Sequence, residues 1–148
     1  MFKIALFQPD IAGNVGTIMR SCACLDIELH IIEPCGFAFD MKKIKKSALD
    51  YIDYVKLFRH NSFDDFYQNQ ITNQPQNRLI LLTTQAKTLY SDFAFSRDDI
   101  LLLGRESAGV PDEIFDQSHF QIKIQMKNQM RSLNIAIAMA IVLGKMMA

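Results

Sequence analysis

The sequence predicts an α/β fold built on a parallel sheet. Ile100–Leu103 and Leu79–Leu82 are apolar at every position and of strand length, so each belongs in a sheet covered on both faces. Between the strands run segments of helical period, with Val15, Ile18, Met19 and Cys22 on one face of the first. Glycines and charged residues follow directly on strand ends, above all Gly104 and the Arg105–Gly109 segment, where open α/β sheets bind ligands.

In chain order, Phe2–Phe7 is a strand ended by Gln8-Pro9-Asp10, and Ile11–Leu25 is a helix that opens with Gly13-Asn14-Val15-Gly16. Asn14 reads as the N-cap of that helix. Arg20 falls on another face, either solvated or overhanging a cleft at the strand tip. Glu28–Ile32 is a second strand, closed by Glu33-Pro34-Cys35-Gly36. A strand, a glycine-bearing turn, a helix and an acid about 20 residues on outline a dinucleotide-binding unit, but no third glycine follows Gly13 and Gly16. Lys42, Lys43, Lys45 and Lys46 then cluster around Ile44, either as a solvated face or as a patch that touches phosphate with salt-sensitive affinity.

Tyr54–Phe58 is expected to be a strand, and Ser62 with Asp65 caps a short helix to about Tyr67. Asn69–Arg78 is a polar loop, Leu79–Thr84 a buried strand, and Gln85–Asp99 a loop with at most one helical turn. If the strands ending at Leu82 and Leu103 are neighbours, Leu82 and Thr83 lie beside Gly104. Pro111 then opens a helix at its first turn, Phe120–Gln125 is a strand, and the polar Lys127–Arg131 loop leads to Ser132, a good N-cap. The helix behind it, Ile135–Leu143, is apolar on all sides.

Composition bounds the function. The 148 residues suffice for one domain with a sizeable core, and 49% apolar content argues against disorder. Sixteen basic and sixteen acidic residues cancel, so nucleic-acid binding has to come from a local patch. Three cysteines, an odd number, and an N-terminus without signal-peptide layout point to the reducing cytoplasm. The apolar Ile135–Leu143 run is too short to span a membrane. Cys22 and Cys24 point about 200° apart on a helix, which prevents joint metal ligation and makes both core residues. His30, His60 and His119 are scattered and give no ligand cluster or nucleophile–base pair. No Gly-x-x-x-x-Gly-Lys loop is present, which removes the nucleotide triphosphatase class.

"NVGTIMR", "LLLGRESAGVP" and "MRSLNIAIAMAIVL", in that order and spacing, resemble the three motifs of the SPOUT superfamily of S-adenosylmethionine-dependent RNA methyltransferases. "IIEPCGFAFD" followed by "ALDYIDY" is similar to the small single-domain enzymes that methylate the ribose 2'-hydroxyl of the tRNA wobble nucleotide, cytidine or modified uridine. The sequence departs from the pattern at Ala136, where many relatives have serine, and at Arg105, where proline or serine is usual.

The resemblance implies one SPOUT-type domain over residues 1–148, an α/β knot whose parallel sheet ends in a deep C-terminal trefoil, and a homodimer. The apolar helix from Ile135 fits burial against a second subunit. S-adenosylmethionine is implied as cofactor, held by backbone at Leu82, Gly104 and Ile124 and by Ser132, with Leu133 alongside. The implied partner is tRNA, with no metal and no membrane. Arg20 matches the residue proposed in the family as general base. A guanidinium keeps its proton at ordinary pH, so the alternative is that Arg20 stays charged and holds a phosphate or stabilises the developing alkoxide. If the dimer resembles its relatives, Arg20 is offered by the other subunit. Asn14, Glu106 and Asn134 are assigned to organising the loops around the acceptor nucleotide. Three classes stay open: a tRNA ribose methyltransferase, with another tRNA or rRNA position as its variant; a nicotinamide-dependent oxidoreductase; and a non-catalytic RNA-binding module.

Overall fold

The structure, a computed structural model, describes residues 1–38, 40, 42, 44 and 49–148. Its frame is one seven-stranded sheet: β1 (Lys3–Phe7), β2 (Glu28–Ile32), β3 (Lys56–His60), β4 (Arg78–Leu82), β5 (Thr88–Leu89), β6 (Asp99–Leu103) and β7 (Phe120–Lys123). The spatial order is β3-β2-β1-β6-β4-β7-β5, and every pairing is parallel. All carboxyl ends therefore lie along one edge.

Two layers of helix cover the sheet, which is why its central strands carry no polar face. Ile4 and Leu6 of β1 and Leu101 and Leu103 of β6 face α1 (Ala12–Leu25) and the last helix, while Ala5, Phe7, Ile100 and Leu102 face Phe63, Phe66, Ile71 and Ile114. Phe63 and Phe66 belong to α2 (Phe63–Tyr67), Ile114 to α3 (Asp112–Gln117), and the last helix is α4 (Ile135–Met146). At the amino ends of β4 and β6 the fully buried Asp99 accepts from Arg78 Nε and Nη2 at 2.6 and 2.8 Å and from Ser96 N at 2.7 Å. That satisfied carboxylate pins the β4/β6 register.

Most expected elements are present, and Ser62 caps α2 by accepting from Asp65 N at 3.0 Å. β3 starts at Lys56 rather than Tyr54, because Leu49–Asp53 forms a 3₁₀ turn first. The expected 69–78 loop contains a π-type turn, Gln68–Thr72, that buries Ile71. Within the expected 85–99 loop, Thr88 and Leu89 pair with β7, and Tyr90–Asp92 is a 3₁₀ turn. β7 stops at Lys123, and Pro111 is the N-cap residue of α3 rather than its first turn. Lys43, Lys45 and Lys46 of the lysine cluster lie outside the described residues; Lys42 is exposed.

Cys22 is buried as expected, but Cys24 is exposed, since the two point to opposite sides of α1. The histidines need a larger correction. Parallel pairing of β2 with β3 sets His30 beside His60, with Nδ1 and Nε2 2.9 Å apart and both residues buried. His119 stays apart and accepts from Leu79 N at 2.9 Å. Among the described residues no helix is long and apolar enough to cross a membrane, and no group of three or more His, Cys, Asp or Glu is arranged to hold a metal.

Candidate active site

A cavity of about 420 Å³ opens at the carboxyl ends of β4, β6 and β7. Leu82 pairs with Leu103, so the chain leaving β4 stands beside Gly104 as expected. The loop after β6 forms one wall and the 124–135 segment the other, with Ile11 and Asn14 of the α1 entrance between them.

The Gly104–Gly109 loop is closed at its neck. Arg105 N donates to Gly109 O at 2.8 Å, and Gly109 N returns a bond to Arg105 O at 2.9 Å. Gly109 has φ +64°, where a side chain is strained. A Cβ on Gly104 would lie 2.7 Å from the Gly109 backbone. Both glycines are thus required by the turn itself.

Beyond the neck, polar side chains tie three elements together. Asp10 N donates to Glu106 Oε2 at 2.7 Å, and Asn14 Nδ2 donates to Glu106 Oε1 at 3.4 Å. Asn134 Nδ2 in turn donates to Asn14 Oδ1 at 3.0 Å. The Asn134 side-chain oxygen accepts from Ala136 N and Ile137 N at 2.9 and 3.3 Å, capping α4. Ser132 is therefore not the cap; it lies two residues earlier, in the exposed wall of the cavity. Nor is Asn14 a cap, for Ile11 holds that position and Asn14 sits inside the first turn with its amide turned to Glu106 and Asn134.

Leu82, Gly104, Ile124, Ser132, Leu133, Asn14, Glu106 and Asn134 all line this cavity. Arg20 does not. It is six residues beyond Asn14 on α1, about 9 Å along the axis and on a different face. Its guanidinium is exposed and lies 5.0 Å from the centroid of the Tyr51 ring. Arg105, Ser107, Thr83 and Arg131 also line the cavity and were not singled out as site residues in the sequence. Their position directly after apolar strands or beside the capping residues was the available signal. Glu33, the acid of the dinucleotide outline, is engaged by Arg59 at 2.6 Å and is not a cavity residue.

Known proteins resemble this chain over nearly its whole length. A relative from Beijerinckia indica named tRNA (cytidine(34)-2'-O)-methyltransferase is 48% identical over 142 residues, covering 96% of this chain and 88% of its own. One of the same name from Escherichia coli is 36% identical over 144 residues, covering 96% and 89%. A structure solved in work on the 2-OH methylation of C/U34 on tRNA superposes with a TM-score of 0.92 at 32% identity, over 99% of this chain and 94% of that one. The methyltransferase AviRb from Streptomyces viridochromogenes, in complex with AdoMet, shares the fold at a TM-score of 0.84 and 22% identity, over 97% of this chain and 56% of that one. The SpoU rRNA Methylase family model matches residues 1–144, which hold all seven strands of the sheet and both walls of the cavity, and the chain belongs to that family.

Proposed function

We propose that this chain, as one domain over residues 1–148, is an S-adenosylmethionine-dependent enzyme that methylates the ribose 2'-hydroxyl of the tRNA wobble nucleotide, cytidine or modified uridine. The carrying observation is the near full-length identity, up to 48%, with relatives named for that reaction at position 34. The cavity fits the cofactor. Its volume of about 420 Å³ falls within the roughly 300–1,000 Å³ of small-molecule sites, and Leu82, Leu103, Ile124 and Leu133 give it an apolar lining.

When bound, S-adenosylmethionine supplies a methyl group on a sulfonium for in-line displacement. Leu82, Gly104 and Ile124 offer backbone groups at strand ends, Ser132 offers its hydroxyl, and Leu133 closes the apolar side. Asn14, Glu106 and Asn134 organise the rim that receives the acceptor nucleotide, and holding two reactants aligned supplies several kcal/mol of the acceleration.

Arg20 is the catalytic residue. Its guanidinium retains its proton, so it holds a phosphate or stabilises the developing alkoxide while the hydroxyl proton passes to water or phosphate. Because Arg20 lies outside the cavity of its own protomer, it is supplied across a homodimer. The exposed Ile137 and Ile141 on the outer face of α4 support that assembly. The trefoil knot of the last third is supported by the insertion of β6 between β1 and β4 and by the 124–134 segment sharing a cavity with the Gly104–Gly109 loop. The reaction takes place in the cytoplasm, where tRNA is found.

Labelled methyl incorporation into tRNA from a strain lacking the activity, with mapping of the modified nucleotide, tests the proposal. Label at position 34 is expected. Label at another position would reassign the substrate, and no label with cofactor present would remove the enzyme reading. Arg20→Ala is expected to abolish transfer in a folded protein, and near-normal turnover would eliminate Arg20.

A further inference from the structure

We propose that Asp10, which does not itself line the cavity, is a positioning residue whose carboxylate sets the conformation of the Gly104–Gly109 loop and through it the aim of Glu106. The functional part of this inference rests on the methyltransferase reading above.

The neck bonds between Arg105 and Gly109 fix the two ends of the loop but leave its side chains undirected. Asp10 engages three consecutive residues of that loop. Its Oδ1 accepts from Arg105 Nε and Nη2 at 3.2 and 2.8 Å. Its Oδ2 accepts from Ser107 N at 3.1 Å and from the Ser107 hydroxyl. Its own backbone N–H donates to Glu106 Oε2 at 2.7 Å, leaving Oε1 to face Asn14. Position 10 thus reads out on Arg105, Glu106 and Ser107 at once, and the chain of contacts continues through Asn14 to Asn134 and the amino end of α4.

The Glu33–Gly36 turn holds Asp10 from the other side. Gly36 N donates to Pro9 O at 2.9 Å, and a Cβ on Gly36 would fall 2.7 Å from Asp10 Oδ1. The glycine of that turn is therefore the room in which the carboxylate sits. The Ser107 hydroxyl first, and the Arg105 guanidinium after it, hold the Asp10 carboxyl below the usual carboxylate range, so it is an ionised acceptor for these contacts at neutral pH.

Asp10→Ala, Gly36→Ala, Arg105→Ala and the double Asp10→Ala/Arg105→Ala separate this role from bulk stability. Hydrogen exchange on the full chain reads the loop directly, without reference to activity. The amides of residues 105–109 should exchange at least about ten-fold faster in Asp10→Ala while β1 and β6 stay protected. In methyl transfer the same variant should raise the KM for S-adenosylmethionine or lower kcat about ten-fold, with Gly36→Ala following it. The double variant should cost no more than Asp10→Ala alone. Unchanged loop exchange overturns the proposal, as do fully additive losses or a kinetic loss that merely tracks melting. If the loop loosens as expected but the wild type transfers no methyl group, the methyltransferase reading fails and the positioning of the loop by Asp10 stands.

Discussion

Asn134 performs two tasks with the two ends of one amide, and substitution can separate them. Its oxygen caps α4 and its nitrogen donates to Asn14. In Asn134→Ala the lost cap costs about 1 kcal/mol, and the lost exposed amide contact adds about 0.5 kcal/mol. At roughly 3 °C per kcal/mol for a domain of this size, melting should fall by about 5 °C. Asn134→Asp keeps an acceptor for the two helix amides and places a negative charge where the helix end favours it, so it should melt within about 2 °C of the wild type. It cannot donate to Asn14 Oδ1. Asn14 can turn its amide to serve the new carboxylate only by presenting its oxygen to Glu106, so one of the two contacts is lost in either orientation. The Asp variant should therefore lose methyl transfer by about ten-fold, equivalent to about 1.4 kcal/mol, while remaining as stable as the wild type. Calorimetric melting and initial-rate methyl transfer on the three proteins decide the matter. An Ala variant that melts with the wild type would refute the cap, and a fully active Asp variant would refute the bridge.

Gly104→Ala forces a Cβ to 2.7 Å from the Gly109 backbone; a loss of about 1–3 kcal/mol in stability and a clearly weaker S-adenosylmethionine titration by calorimetry are expected. Burial first and the neighbouring His60 second push His30 down to about 3, and burial also lowers His60. Unfolded histidines titrate near 6.5, so the unfolded chain binds protons that the folded chain refuses. Stability is then full above about pH 6.5 and declines below it by up to about 1.4 kcal/mol per pH unit per histidine. Urea midpoints equal at pH 7.5 and 5.5 would contradict this. Ile137→Glu, on the outer face of α4, should convert a dimer to a monomer in sedimentation, and a wild type that sediments as a monomer would remove the dimer.

The buried strands were legible because a strand covered on both faces loses its alternation; the Leu82–Gly104 neighbourhood was conditional on those strands being neighbours, which the β4/β6 pairing supplies. The cap of α4 was not: Ser132 and Asn134 are both good capping residues, and only the backbone path through the 126–134 loop decides between them. The His30–His60 pair needed the β2/β3 register, which no local pattern encodes. The Asp10 contacts join residues about a hundred positions apart, and nothing in Gln8-Pro9-Asp10 marks them beyond the end of a strand. Arg20 is assigned by resemblance alone, and its place outside the cavity became visible only in three dimensions.

The position of β6 has a consequence for how the protein acquires its site. Lys3 pairs with Ile100, so the strand that carries Gly104 is inserted beside the first strand only after about two thirds of the chain has been traversed. Such long-range closure slows folding. It also means that no partly folded form possesses the cavity, since its walls come from β4, β6, β7 and the ends of α1 and α4 together. A ligand bound there recognises only the completed chain. At 100 times its dissociation constant it would stabilise the whole fold by about 2.7 kcal/mol, so occupancy of the cavity and global stability are one equilibrium.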